Sequence, residues 1–165
     1  MEASQSIPDL IATAQANAKT SEDRVSELLT QMEGLSGSPS QVSELDAATA
    51  ALEMIAVDTF TMFEARMQHH FKRGPFSRKL HALLVASGET DLAQRVHQYY
   101  LAVNVLKHGT GASYRELLST PNLKFSVRPA ATADGGKSLV DVTGAGFFDG
   151  LSATVLEAYA FLESR

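Results

Sequence analysis

The sequence predicts a mainly α-helical protein, an up-and-down helical bundle with one small β-hairpin inserted before the last helix. Two observations lead to this class. Hydrophobic residues recur at spacings of three, four and seven along most of the chain, whereas strict alternation is confined to two short runs at 123–127 and 138–142. The chain has 165 residues, of which 44% are hydrophobic and 20% charged, so it is large and apolar enough to bury the core of one domain.

Residues 1–38 are predicted to form a helical arm that ends in a linker rich in glycine, serine and proline. Pro8 suits the first turn of a helix, and Ser6 before it is a suitable cap. The polar run 19–23 interrupts the hydrophobic stripe, so one long helix and two short helices both fit the pattern. The predicted bundle follows over residues 39–165.

The bundle is predicted to contain five helical segments, at about residues 41–72, 76–86, 91–107, 112–119 and 148–162. A glycine lies two residues beyond each of the first three, which is typical of helix C-termini. The two alternating runs fall between the last two helical segments and are separated by an Asp-Gly-Gly sequence that suits a turn. They predict the hairpin, at about 123–142.

Composition excludes several classes of protein and site. The chain has no cysteine, which excludes disulfides, thiol catalysis and thiolate metal sites. No apolar run approaches the roughly 18 to 20 residues of a membrane span. The N-terminal residues lack the basic and apolar regions of a secretory signal. We therefore expect a cytoplasmic protein without membrane contact.

The five histidines predict no metal site and no cofactor. Histidine-based sites in bundles use Glu-x-x-His or His-x-x-x-His pairs on one helix, and the sequence has neither. The adjacent residues His69 and His70 are expected to point to different helix faces.

Charge is distributed unevenly along the chain, although the formal net charge is only −5. Residues 1–60 carry ten acidic and two basic side chains, residues 61–128 four and ten, and residues 129–165 five and two. The central segment therefore has a charge of +6 and holds all five histidines, between ends of −8 and −3. This block predicts either a surface for an anionic ligand or ordinary solvated helix faces.

The predicted helix at 91–107 carries a polar stripe. His97, Tyr100, Asn104 and His108 are three or four residues apart and share one helix face. Glycines follow at once, and they would allow a backbone or a phosphate to approach. The stripe is a candidate site. In the alternative interpretation, Asn104 and His108 only cap the helix C-terminus, where a charged histidine is favoured.

The Asn-x-x-x-His-Gly sequence at 104–109, after a long helix rich in glutamate and arginine, resembles the HEPN superfamily. This family consists of four-helix up-and-down bundles. Many members are metal-independent ribonucleases of toxin–antitoxin, CRISPR-associated and phage-defence systems, and others have no catalytic activity. The resemblance covers roughly residues 41–162, with the hairpin as an insertion. It implies that Asn104 and His108 are the polar residue and the histidine of the catalytic motif.

The motif's arginine is missing. It would fall at residues 101–103, all of which are apolar. The resemblance therefore implies the fold more firmly than ribonuclease activity. Lys107 or Arg95 would have to supply the positive charge at the scissile phosphate.

A second candidate site is the basic sequence at 69–79. Arg73, Arg78 and Lys79 would bind phosphates, and Phe71 and Phe76 would stack on bases. In the alternative interpretation these cations decorate a helix terminus and both phenylalanines belong to the core.

Two functions remain open on the sequence. The first is a HEPN-like protein of a defence or toxin–antitoxin system that binds RNA, a nucleotide or another anionic ligand, with catalysis in doubt. The second is a catalytically inert protein–protein interaction module. Because the hydrophobic stripe of the arm needs burial, we also predict a homodimer, and a different protein partner would serve the same purpose.

Overall fold

The computed structural model describes residues 5–34, 36–129, 138–144 and 146–165. Within them the chain forms a helical bundle. Its helices, in chain order, are α1 (Ile7–Met32), α2 (Pro39–Met67), α3 (Phe76–Ala86), α4 (Thr90–His108), α5 (Ala112–Leu118) and α6 (Phe147–Glu163). A single 3₁₀ turn, Gln68–His70, continues directly from α2.

The first helix runs without interruption through the polar segment that allowed two interpretations. Ser6 caps it as predicted, with its Oγ accepting a hydrogen bond from the Asp9 amide. Lys19 and Asp23 form an exposed ion pair one turn apart in the polar run. Lys19, Thr20 and Asp23 are exposed, whereas Ser21 and Glu22 are half-buried on the face that Ala18 and Val25 share.

The hydrophobic stripe of α1 is buried within the chain. It packs on α2 and α6, and its buried residues are Ile7, Ile11, Ala14, Ala18, Val25 and Leu28. Arg24 near the end of α1 pairs with Glu44 near the start of α2, so the two helices form an antiparallel hairpin. The stripe therefore needs no second copy of the chain, which removes the reason for expecting a homodimer. A domain boundary at residue 38 stays a prediction.

The fourth helix lies at the centre of the core, in contact with α2, α3, α5 and α6. Of the five hydrophobic residues that recur at helical spacing along α4, four are buried, namely Leu92, Val96, Tyr99 and Val103. The fifth, Leu106, is only half-buried and packs at the edge of the core. The helices thus hold α4 in place, and its polar side chains project from a rigid element.

The predicted β-hairpin is wrong. The described residues contain no strand, and the two alternating runs meet at one isolated antiparallel bridge, between Val127 and Val140. Residues 130–137, which include the predicted turn, lie outside the described residues.

Side chains form hydrogen bonds with backbone groups that a longer ladder of strand pairing would otherwise satisfy. The Tyr114 hydroxyl donates to the carbonyl oxygen of Arg128 at 2.9 Å, and Arg128 Nη1 donates to the carbonyl oxygen of Ser138 at 2.6 Å. Arg128 also pairs with Asp141 at 3.4 Å. The two alternating runs are therefore joined by these side-chain bonds and by the two backbone hydrogen bonds of the single bridge, from the Arg128 amide to Leu139 and from the Asp141 amide to Ser126, but not by a continuous ladder.

None of the helices in the described parts of the chain is long and apolar enough to cross a membrane.

Candidate functional site

The polar face of α4, defined by His97, Tyr100, Asn104 and His108, does not form a single site. The helix presents all four residues on one side, as the spacing predicted, but the two halves of the face have different surroundings. The first half lies between α3 and α5, and the second half lies at the end of the helix.

The first half is a cluster of aromatic and ionisable side chains. His97 Nε2 lies 2.7 Å from Glu116 Oε1 of α5. The His97 ring stacks on Tyr100, with 6.1 Å between ring centroids, and lies 5.6 Å from the ring of His81 on α3. Three helices therefore contribute to this cluster, and only the α4 residues were predicted.

A cavity of about 180 Å³ opens beside the cluster. Most of the residues that line it have polar side chains; they are His81, Gln94, His97, Gln98, Thr120, Pro121 and Asn122. Gln98 is buried, and its Oε1 accepts a hydrogen bond from the Lys124 amide at 3.3 Å, so part of this wall is fixed. The remaining amide and imidazole groups would bind a small polar ligand by hydrogen bonds.

The other side of Tyr100 lines a groove with residues of α2 and α3. There the Ser77 hydroxyl donates to Glu64 Oε2 at 3.2 Å. Burial raises the pKa of Glu64, and this effect exceeds the opposing ones of the Ser77 hydrogen bond and of Lys107. The groove therefore holds a half-buried carboxyl group that the sequence did not single out, because one glutamate on a long helix gives no signal.

The second half of the polar face holds the two residues that the HEPN resemblance identifies. Asn104 Nδ2 donates to Ser113 Oγ at 3.3 Å. His108 is the last residue of α4 and is exposed, and its side chain has no hydrogen bond or ion pair with the described residues. The Gly109 amide, and not a side chain, closes the helix by donating to Val105 at 2.8 Å. Asn104 is thus tied to α5, and His108 is free to meet a ligand.

Of the two predicted substitutes for the motif arginine, Arg95 is not placed to supply a charge next to His108. Arg95 donates to Asp91 Oδ2 at 2.8 Å and to Glu157, and these hydrogen bonds outweigh burial and raise its pKa. It also lies about 20 Å from His108 along the helix, at 1.5 Å per residue. Lys107 is exposed and lines a groove against α2. The proposed ligand-binding role of Arg95 conflicts with its use as a tie between α4 and α6.

The basic turn, which we define as residues 72–79, joins α2 to α3. Lys72, Arg73, Arg78 and Lys79 are all exposed there. Both neighbouring phenylalanines turn inward, since Phe76 is buried and Phe71 packs against it with 5.7 Å between ring centroids. The rings therefore belong to the core, as the alternative interpretation held, and the turn offers cations without a stacking platform.

Ion pairing divides the described cations into two groups. Lys19, Arg24, Arg95 and Arg128 each pair with a carboxylate. The cations between residues 61 and 128 that have no carboxylate partner among the described residues are Arg66, Lys72, Arg73, Arg78, Lys79, Lys107, Arg115 and Lys124. The central positive charge is therefore largely available for an external anion.

The adjacent histidines differ from the prediction. His69 and His70 were expected to point to different faces, but their rings lie 4.3 Å apart between centroids. The prediction assumed an α-helix, whereas α2 changes to a 3₁₀ turn at Gln68.

Comparison with known proteins adds no relative. No family model matches the sequence, and neither curated proteins nor solved structures gave a match. The HEPN resemblance therefore stays a prediction, and function has to be argued from the residues themselves.

Proposed function

We propose that this protein is a non-catalytic, HEPN-like RNA-binding protein of a defence or toxin–antitoxin system that contacts single-stranded RNA through the basic turn. The observation that carries the proposal is the set of exposed cations without carboxylate partners, of which Lys72, Arg73, Arg78 and Lys79 are adjacent in the fold. A cytoplasmic location belongs to the same proposal, as RNA is the ligand.

The position of two of these cations argues against a purely structural role. Arg78 and Lys79 lie in the first turn of α3, which contains no acidic residue and has no side-chain cap. Basic side chains at a helix N-terminus oppose the helix dipole and lower the stability of the helix. An anion bound there would interact favourably with both the side chains and the free amide groups. Lys72 and Arg73 follow the C-terminus of α2, where the helix dipole favours cations, so their position is weaker evidence for an anionic ligand.

The test compares two variants that lose the same charge. The first replaces Arg73, Arg78 and Lys79 by alanine, and the control replaces Arg115, Lys124 and Arg165 by alanine. Affinity for a fluorescent oligouridylate is measured by anisotropy over a range of salt concentrations. Each phosphate contact on a single strand contributes about 0.7 to the salt slope, so the first variant should lose about 2 from the slope.

The control should keep most of the wild-type slope. Equal losses in both variants would contradict a role for the basic turn and indicate attraction to net charge alone. ATP is titrated in parallel. If ATP binds and the oligouridylate does not, the ligand is a nucleotide and not an RNA.

A second candidate function, a catalytically inert protein–protein interaction module, is favoured by exposed apolar residues on α2. Met54 is 66% exposed and Met62 37% exposed, and Met54 lies beside the groove that Lys107 lines. The RNA experiment separates the two functions, because absence of RNA and nucleotide binding at low salt removes the first. Self-association to a homodimer, or a different protein partner, would then use such apolar surface.

A further inference from the structure

Three potential metal ligands meet where α2 and α6 end. A ring nitrogen of His69, one of His70 and a carboxylate oxygen of Glu163 all lie within 4.8 Å of one another. The histidines belong to the 3₁₀ turn that follows α2, and Glu163 is the last residue of α6. No sequence pattern indicates this group, because 93 positions separate His70 from Glu163.

The hydrogen bonds of the group suit metal binding. His69 Nδ1 lies 2.7 Å from the carbonyl oxygen of Arg66, which only accepts, so Nδ1 carries the hydrogen and Nε2 of the neutral ring carries the lone pair. Metal-binding histidines commonly donate their second ring N–H to a backbone carbonyl in this way. His70 Nε2 lies 3.2 Å from Glu163 Oε1, which brings the second and third donors together.

We propose that His69, His70 and Glu163 bind one divalent transition-metal ion, with Zn²⁺ as the best fit. Two imidazole nitrogens and one carboxylate oxygen form a donor set that zinc takes at about 2.0–2.2 Å. Hard cations such as Mg²⁺ and Ca²⁺ prefer oxygen ligands, so the two histidines select against them. His69 and Glu163 are exposed, so further coordination positions are open to water.

The ion would join the ends of two helices that are distant in the chain. Contacts between α2 and α6 already exist along the bundle, and the metal would add a bond between their C-terminal ends. Because the unfolded chain does not hold the three ligands together, binding stabilises the folded state, and the stabilisation grows with the logarithm of the metal concentration.

The test uses the full chain with ZnCl₂, and CoCl₂ as a spectroscopic substitute. Isothermal titration should give one ion per chain, and bound Co²⁺ should absorb in the visible range. His69→Gln, His70→Gln and Glu163→Gln should each weaken Zn²⁺ binding by at least about tenfold. Glu116→Gln is the matched control, since Glu116 also accepts from a histidine, at 2.7 Å, but has no second imidazole donor among the described residues in reach of a shared ion.

Thermal unfolding provides an independent measurement. Zn²⁺ should raise the Tm of the wild type and of Glu116→Gln and leave that of Glu163→Gln nearly unchanged. Absence of Zn²⁺ binding would overturn the proposal. So would wild-type affinity in Glu163→Gln, which would mean that the adjacent histidines bind alone, or an equal loss in Glu116→Gln.

Discussion

At the scale of single residues, the Tyr99 side chain lies so close to Gly150 that it leaves no room for a larger residue at position 150. Tyr99 is buried, and its hydroxyl donates to the carbonyl oxygen of Phe147 at 3.4 Å. A Cβ atom at Gly150 would lie 2.2 Å from that hydroxyl oxygen. The ring packs against Phe125 and Phe147, so it has little freedom to move away. Glycine is therefore required inside α6, where alanine would otherwise be preferred.

We predict that Gly150→Ala lowers the free energy of unfolding by about 1–3 kcal/mol, as overpacked cores do. In Tyr99→Phe the nearest ring carbon lies 3.4 Å from the added Cβ, an ordinary contact. The double variant should therefore be more stable than Gly150→Ala alone. Urea unfolding of the four proteins measures this coupling. Strict additivity of the two changes would contradict the steric explanation.

Burial of the same tyrosine has a consequence at alkaline pH. Burial raises the pKa of Tyr99 to about 12 from the usual 10.0, against a smaller opposing effect of Arg95. Between these two values the folded chain keeps a proton that the unfolded chain loses. The contribution of Tyr99 to stability is therefore present below about pH 10 and is lost as pH rises to about 12.

The site shows what single residues in a sequence reveal and what they do not. Helical spacing correctly placed His97 and Tyr100 on one face of α4. Their partners His81 and Glu116 lie on other helices, and one sequence carries no signal for contacts between distant segments. The same holds for Glu163, whose proximity to two histidines depends on how α6 ends beside α2.

At the scale of elements, periodicity and helix-ending residues predicted the helices well. The helix 76–86 has the predicted bounds, and the helix at 91–107 differs by one residue at each end. These helices follow from local sequence, since glycine, proline and hydrophobic spacing act within a few residues. The prediction of a hairpin was wrong because alternation shows only that successive side chains point to two sides. Beyond the single bridge, side-chain hydrogen bonds from Tyr114 and Arg128 satisfy the backbone carbonyl groups of Arg128 and Ser138.

The first helix provides the element-scale prediction. Leu28 and Leu29 are neighbours in the chain, but Leu28 is 0% exposed in the core and Leu29 is 52% exposed. Because α1 is part of the core, Leu28→Ala should lower the free energy of unfolding by about 2–5 kcal/mol. Leu29→Ala should change it by less than about 0.5 kcal/mol, as surface substitutions do.

Chemical denaturation at two protein concentrations checks this prediction. The denaturation midpoints of the wild type and of Leu28→Ala should each be the same at both concentrations, since the stripe is buried within one chain. Midpoints that rise with concentration would instead indicate that α1 packs across a homodimer.

At the scale of the whole molecule, the unpaired cations of the basic turn and the candidate catalytic histidine belong to different elements. The unpaired cations of the basic turn extend from the start of α3, whereas His108 ends α4. Acidic residues predominate in the first 60 positions and pair with the cations nearest to them, as Arg24 does with Glu44. Binding of an anion at the basic turn and proton transfer at His108 would therefore use residues of different elements.

This separation predicts that the protein binds RNA without cleaving it. General acid–base cleavage by His108 would need a cation beside the scissile phosphate, and residues 101–103, where the HEPN motif has arginine, are apolar and buried. Arg95 is held by two carboxylates. Purified wild type and His108→Ala should therefore leave a labelled RNA equally intact in the presence of EDTA, as resolved on a denaturing gel. Because the His108 side chain has no partner among the described residues, its loss should change stability by less than about 0.5 kcal/mol. Cleavage by the wild type that disappears in His108→Ala would contradict the prediction, because the isolated imidazole would then have found its cation in the RNA-bound state.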